Sequence, residues 1–174
     1  MLLSLGVVVA MMLVTVGATG LCSVNPEGSN YARNNPVDAS TFLDLESRAT
    51  DTPLRDPGMP EGWSPNSARR TTVGGQPAAV VGWVTAEDNF VQAVQTSVEL
   101  DAAMKGFDGK FRPNKTVEHV GGTAVHVWSS DERGIRPLWG VDLGDARLLI
   151  TGVAPAQDFE TVLRAFEEAQ PLPN

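Results

Sequence analysis

The chain has 174 residues, a length that fits one domain and leaves little for a second. Its 13 Lys and Arg residues are outnumbered by 21 Asp and Glu residues, and the resulting net charge of −8 argues against nucleic-acid binding, because phosphates would be repelled. The single cysteine excludes an intramolecular disulfide and any zinc cluster built on cysteines.

The first predicted element is an apolar helix at the start of the chain. Residues 2–20 contain no charged side chain. Nineteen helical residues span roughly 28 Å, which is close to the roughly 30 Å thickness of a bilayer's hydrocarbon core. We therefore predict a transmembrane helix over residues 1–21 that acts as a signal anchor.

The two alternatives to an anchor are a cleaved signal peptide and a lipoprotein signal. Residues 18–20 resemble a signal-peptide cleavage site, but the apolar run is long and no Lys or Arg precedes it. Cys22 would be the lipidated residue of a lipoprotein, but Leu21 stands where such signals carry Gly or Ala. The missing basic start also indicates that Met1 is an internal methionine. Residues 21–60 contain three arginines and six acidic residues, so they lack the positive charge that keeps a segment on the cytoplasmic side. The part of the chain after the anchor is therefore predicted to lie outside the cytoplasm.

A tether is predicted over residues 22–56, because Asn, Pro, Ser, Asp and Gly are frequent there. Within it, residues 37–49 favour a short helix packed against the domain, with Asp38 or Ser40 as its N-cap. Phe42, Leu45 and Ala49 follow at helical spacing on one face. The folded domain is predicted to cover residues 57–174.

Most of this domain is predicted to be extended. Glycine pairs at 74–75 and 121–122, the polar run 87–89 and the pair 144–145 are typical of tight turns between strands. At least one helical turn is expected at residues 99–104. The predicted strands cover residues 67–73, 78–85, 90–98, 115–120, 123–128, 137–143 and 146–152.

The end of the chain is predicted to be an amphipathic helix that begins at residues 157–158. Phe159, Val162, Leu163 and Phe166 are spaced i, i+3, i+4 and i+7, which places them on one face. Strands that cluster rather than alternate with helices indicate an α+β fold, in which an antiparallel sheet is covered on one face by the C-terminal helix.

Few residues suggest catalysis or metal binding. His119 and His126 flank a predicted turn, but Glu118 and His119 are neighbours on a strand and point to opposite faces. There is no Gly-x-Ser-x-Gly motif, and Cys22 lies far along the chain from either histidine. We therefore predict no catalytic residue, no metal site and no cofactor.

Four tryptophans are the domain's most unusual feature. They are either core anchors of the sheet, which is favoured for a small domain, or the lining of a carbohydrate or lipid groove. As candidate ligand or partner contacts they are Trp63, Trp83, Trp128 and Trp139.

The sequence resembles an uncharacterised family of single-pass actinobacterial membrane proteins, the domain of unknown function four-two-four-five. The resemblance rests on short signatures across most of the chain, namely residues 1–9, 59–65, 82–85, Gly121-Gly122 followed by Trp128, and 150–152. It implies an envelope-facing domain on one N-terminal helix, usually preceded by a basic cytoplasmic stub that this sequence lacks. It implies no activity and no catalytic residue.

The predicted function is non-enzymatic. The chain is expected to be a membrane-anchored extracytoplasmic domain that binds or scaffolds a partner protein of the cell envelope, for example as an accessory subunit of a membrane assembly. Its other partner is the lipid bilayer, through the N-terminal helix. The alternative is a carrier or sensor of an apolar, lipid-like ligand in a cavity between the sheet and the C-terminal helix.

Overall fold

The computed structural model describes residues 36–173, together with the isolated positions 6 and 11. The predicted transmembrane helix over residues 1–21 and the first part of the predicted tether therefore lie, apart from those two positions, outside the described residues. Among the described residues, no helix combines the length and the apolar run that crossing a bilayer demands.

Three helices and one seven-stranded antiparallel sheet form the described fold. The helices are α1 (Ala39–Ser47), α2 (Leu100–Gly106) and α3 (Ala156–Glu168). The strands are β1 (Ser64–Val73), β2 (Gln76–Val84), β3 (Phe90–Thr96), β4 (Asn114–Val120), β5 (Thr123–Ser129), β6 (Leu138–Asp142) and β7 (Arg147–Val153).

The strand order in the sheet is β1-β2-β3-β7-β6-β5-β4. Two runs of hairpins, β1 to β3 and β4 to β7, join where β3 pairs with β7. The predicted turns are confirmed, and the pairs at 74–75 and 121–122 need glycine because both residues of each have positive φ. The predicted α+β class with an antiparallel sheet is likewise confirmed.

The C-terminal helix packs on the sheet as predicted. The four residues of its apolar face, Phe159, Val162, Leu163 and Phe166, are at most 1% exposed. The Phe159 ring lies 5.2 Å from that of Trp139, and the Phe166 ring meets Trp83 edge-on at 6.4 Å. Together with α1, this helix closes the first face of the sheet over one hydrophobic core.

The second face of the sheet is also covered, although the sequence predicted cover on one face only. Ala103 and Met104 of α2 are buried in a second core with side chains from the centre of the sheet. Gly140 of β6 lies beneath this helix, and a Cβ there would approach Leu100 to 3.0 Å. The sequence of α2 did not reveal this contact, because a helix of seven residues, two of them buried, is too short to show a helical repeat of apolar residues.

Part of the predicted tether packs against the sheet, and the short helix predicted within it is α1. Leu43 of α1 and Leu54 belong to the first core, and each is at most 1% exposed. The side-chain amide of Gln95 accepts a 2.6 Å hydrogen bond from the Arg55 N–H and donates one of 3.0 Å to the Arg55 carbonyl. The Leu172 N–H donates a 2.7 Å bond to the Leu54 carbonyl, so residues 54–55 lie between β3 and the C-terminal tail.

Asp38 is the N-cap of α1, one of the two candidates from the sequence, and its removal should destabilise the domain slightly. Its carboxylate accepts bonds from the Thr41 N–H (2.9 Å) and the Thr41 hydroxyl (2.7 Å), and the N–H bond lowers the pKa of Asp38. We expect Asp38→Ala to lower Tm in thermal unfolding at pH 7 and the exposed control Ser40→Ala to change it less. Equal effects would contradict the cap assignment.

Candidate functional site

The four tryptophans do not line a common surface. Trp83 and Trp139 are buried in the core beneath α1 and α3, whereas Trp128 is buried in the core on the opposite face beneath α2. Trp63 is half-buried against the first core. Their placement matches core anchors, and a direct ligand role for them stays a prediction without structural support.

The two histidines lie on one face of neighbouring strands near the free edge of the sheet. His126 pairs with Val117 and His119 pairs with Ala124, so the two imidazoles are diagonal neighbours, while Glu118 points to the other face. No group of three or more His, Cys, Asp or Glu side chains suited to a metal occurs in the part of the chain that the structure describes.

A polar cavity on the α2 face of the sheet is the best candidate site. Its volume is about 360 Å³, within the range of small-molecule sites. We call it the basic cavity, because three of its lining residues are cationic and one is acidic. It is lined by Arg69, Thr71, Val80, Gln92, Phe107, Asp108, Lys110, Gly134, Arg136 and Thr151.

The sheet forms the floor of the basic cavity. Arg69 and Thr71 are two positions apart on β1, so their side chains lie on the same face, and Arg69 pairs with Val80 of β2. Gln92 of β3 pairs with Thr151 of β7, so four adjacent strands contribute side chains to this face. Because cross-strand neighbours lie about 5 Å apart, these side chains span roughly 15 Å.

Two loops, residues 107–113 and 130–137, form the wall of the cavity, and Arg112 ties them together. This side chain is 1% exposed, and its two Nη atoms donate bonds of 2.8 and 2.7 Å to the Asp108 carboxylate. Its Nε donates a 2.9 Å bond to the Arg136 carbonyl. Lys110 Nζ adds a 3.2 Å bond to the Gly134 carbonyl. These bonds link the two loops that carry Lys110 and Arg136.

Arg136 is also placed by an aromatic ring. Its guanidinium carbon lies 5.8 Å from the centroid of the Phe90 ring, within cation–π range. The Phe90 ring occupies the space above Gly82 that a side chain would otherwise fill. A Cβ there would come within 2.9 Å of the ring and 2.6 Å of the Ser67 hydroxyl.

The cations of the basic cavity differ from most others in lacking acidic partners. Within residues 36–173, seven of the twelve Lys and Arg side chains form ion pairs with carboxylates. Three of the remaining five, Arg69, Lys110 and Arg136, line this one cavity. Its acidic residue, Asp108, is already engaged by Arg112. An acidic protein thus carries a local surplus of positive charge at a concave site.

The Asp108–Arg112 pair should make stability pH-dependent. Partial burial raises the pKa of Asp108, but the hydrogen bonds from Arg112 and the Lys110 N–H and the charges of both cations outweigh it, so the pKa lies below its ordinary value of 3.8. A carboxyl with a lowered folded-state pKa adds stability above its unfolded-state pKa, and this contribution is lost as the pH falls through the folded-state pKa.

We expect the difference in free energy of unfolding between wild type and Asp108→Asn to be constant at neutral pH. It should shrink as the pH falls below about 4, because protonation removes the charge that the variant lacks. Urea unfolding measured from pH 7 to pH 3 checks this. A difference that grows on acidification would contradict the role of Asp108.

Sequence reasoning missed the basic cavity. Its cations come from β1 and two separate loops, at positions 69, 110 and 136, and no short motif joins them. Arg69 and Arg70 are adjacent in the sequence, but successive residues of a strand point to opposite faces of the sheet. Arg70 therefore lies on the other face, where it pairs with Glu46 of α1 at 2.8 Å.

Comparison with known proteins identifies the family. The family model described as "Protein of unknown function (DUF4245)" matches residues 1–166, and the chain belongs to this family. No curated protein and no solved structure matches the chain.

Proposed function

We propose that this family member is a non-enzymatic, membrane-anchored binding domain of the actinobacterial cell envelope that recognises an anionic ligand or partner group at the basic cavity. The observation that carries the proposal is the convergence of three unpaired cations, Arg69, Lys110 and Arg136, on one cavity. Elsewhere in residues 36–173 most cations are neutralised by neighbouring carboxylates. A cluster of like charges disfavours folding unless a counter-charge binds, so an anion is its natural complement.

The rigidity of the wall supports binding. Arg112 is fully engaged in the loop contacts, and Phe90 supports Arg136 from below. A preorganised site loses less conformational entropy when its ligand binds. Among the described lining residues the carboxylate that would act as a base, Asp108, is occupied by Arg112, and this favours recognition over catalysis.

The anchoring part of the proposal rests on the sequence. The uncharged run over residues 2–20 has the length of a bilayer-spanning helix. The family resemblance implies the same arrangement. An envelope location would present the basic cavity to ligands or partner proteins outside the cytoplasm, for example within a larger membrane assembly.

The alternative function, a carrier of an apolar ligand between sheet and helix, gains no support from the packing. The apolar face of α3 lies against the sheet with side chains that are at most 1% exposed, and aromatic rings of helix and sheet are in contact there.

Photo-crosslinking in intact cells tests the proposed function. Benzoylphenylalanine would replace Phe111, which is 76% exposed and adjacent to Lys110, or, as a control, Leu45, which is 61% exposed on α1. We expect the intact chain in the membrane fraction and a light-dependent adduct at position 111 that disappears in the Arg69→Gln/Arg136→Gln variant. A chain recovered in the cytosol, or identical adducts at both positions, would contradict the proposal.

A further inference from the structure

We propose that the basic cavity binds a phosphate ester, with the phosphate among Arg69, Lys110 and Arg136. This inference rests on the proposed function and specifies the chemistry of the ligand. The charge of the cavity gives the first argument. Asp108 and Arg112 neutralise each other, which leaves three positive charges for the ligand. A single guanidinium is enough to neutralise and bind one carboxylate, as Arg112 does for Asp108. Three cations therefore match a ligand group that carries more negative charge and more oxygens than one carboxylate.

The donors around the cavity give the second argument. Two guanidinium groups supply planar pairs of N–H donors, which suit the oxygens of a phosphate, and Lys110 adds a compact positive charge. Gln92 and Thr71 line the same floor and carry uncharged donors. A tetrahedral phosphate offers acceptor oxygens in several directions, whereas a carboxylate offers two oxygens in one plane.

The size and the apolar part of the cavity give the third argument. A volume of about 360 Å³ exceeds what a free phosphate ion fills. Phe107 and Val80 line the cavity beside the cations and present apolar surface for the organic part of an ester. The ester would therefore be either a soluble phosphorylated compound or the headgroup of a phospholipid, and these two sources share the chemistry of the site.

Binding of defined probes to the full chain in a neutral detergent tests the inference. Calorimetry would compare inorganic phosphate, glycerol 3-phosphate and, as a dicarboxylate of equal charge, succinate. For the lipid probe the full chain would be held in phosphatidylcholine nanodiscs without detergent, so that its N-terminal segment is already in a bilayer. Sedimentation would then compare its capture by vesicles of phosphatidylglycerol with its capture by vesicles of phosphatidylcholine. The test variants are Arg69→Gln and Arg136→Gln, and the matched control is Arg164→Gln, which removes an exposed cation of α3.

We expect glycerol 3-phosphate or phosphatidylglycerol vesicles to bind, and each test variant to weaken that binding at least tenfold while Arg164→Gln leaves it unchanged. Binding of the soluble ester identifies a soluble ligand, and binding of the vesicles alone identifies a lipid headgroup. Succinate binding as tight as the ester would overturn the phosphate assignment and leave the proposed anion site intact. Binding of neither ester source, or binding that the test variants do not weaken, would overturn the inference.

Discussion

Arg112→Met is expected to lower the free energy of unfolding by about 2–3 kcal/mol, because it removes charge-assisted hydrogen bonds from a buried guanidinium to a partly buried carboxylate. The Arg112 side chain is 1% exposed and that of Asp108 is 23% exposed, so water would replace only part of the hydrogen bonding that the Asp108 carboxylate loses. The Arg136 carbonyl would also lose its bond to Arg112. Urea unfolding at pH 7 measures the change.

Two controls separate the buried pair from charge loss in general. Arg164→Met removes a cation that is 63% exposed and pairs with Glu160 at 3.7 Å, and we expect it to cost less than about 1 kcal/mol. Adding Asp108→Leu to Arg112→Met should recover part of the loss, because no buried charge then stays unpaired. An Arg112→Met protein as stable as Arg164→Met would show that the pair does not hold the cavity wall.

Gly152→Ala is expected to destabilise the protein by about 3 kcal/mol, at the upper end for overpacking. Gly152 of β7 pairs with Val91 of β3, and an added Cβ would lie 2.9 Å from the Val91 Cα and collide with the Phe90 carbonyl oxygen. These are backbone atoms of a central strand, so they cannot move aside as a flexible side chain would. The strands β3 and β7 would have to separate locally, which weakens the pairing that joins the two halves of the sheet.

The matched control is Gly58→Ala. Gly58 is exposed, has no heavy atom within 4 Å of a built Cβ, and has no positive φ. We expect this substitution to change the free energy of unfolding by less than about 0.5 kcal/mol. Thermal and urea unfolding of both variants check the pair of predictions. Similar losses for the two variants would argue against the backbone collision at Gly152.

Most of the local structure of this chain could be predicted from its sequence. The exception is the buried face of α1, predicted as Phe42, Leu45 and Ala49 but formed by Ala39, Leu43 and Ser47, while Leu45 is 61% exposed. The tight turn at Gly121 and Gly122 needs positive φ at both residues, and a pair of glycines in the sequence predicts such a turn. The apolar face of α3 is predicted because its four large residues repeat with the period of a helix and have no other place to be buried. The cap at Asp38 is similarly local, since donor and acceptor lie three residues apart.

The long-range arrangement is not encoded in such short patterns. The contact of α2 with the second face depends on Gly140, which is distant in sequence and looks like any strand glycine. The cations of the basic cavity come from β1 and two loops that are distant in sequence and come together only after the sheet has formed. Trp128 lies on the face opposite to Trp83 because the register across the sheet aligns it with Gly82, whose neighbour on β2 is Trp83. Composition cannot reveal this register.

The pairing of β3 with β7 also has a consequence for how the protein is made. Thr96 and Arg147 are 51 residues apart in the chain, and Phe90 and Val153 are 63 apart, yet they are neighbours at the centre of the sheet. Contacts between distant segments form late and slow folding. During synthesis the edge of β3 that will pair with β7 stays unpaired until β7 has been made. We therefore expect this apolar edge to be the part of the nascent chain most prone to aggregate or to bind chaperones.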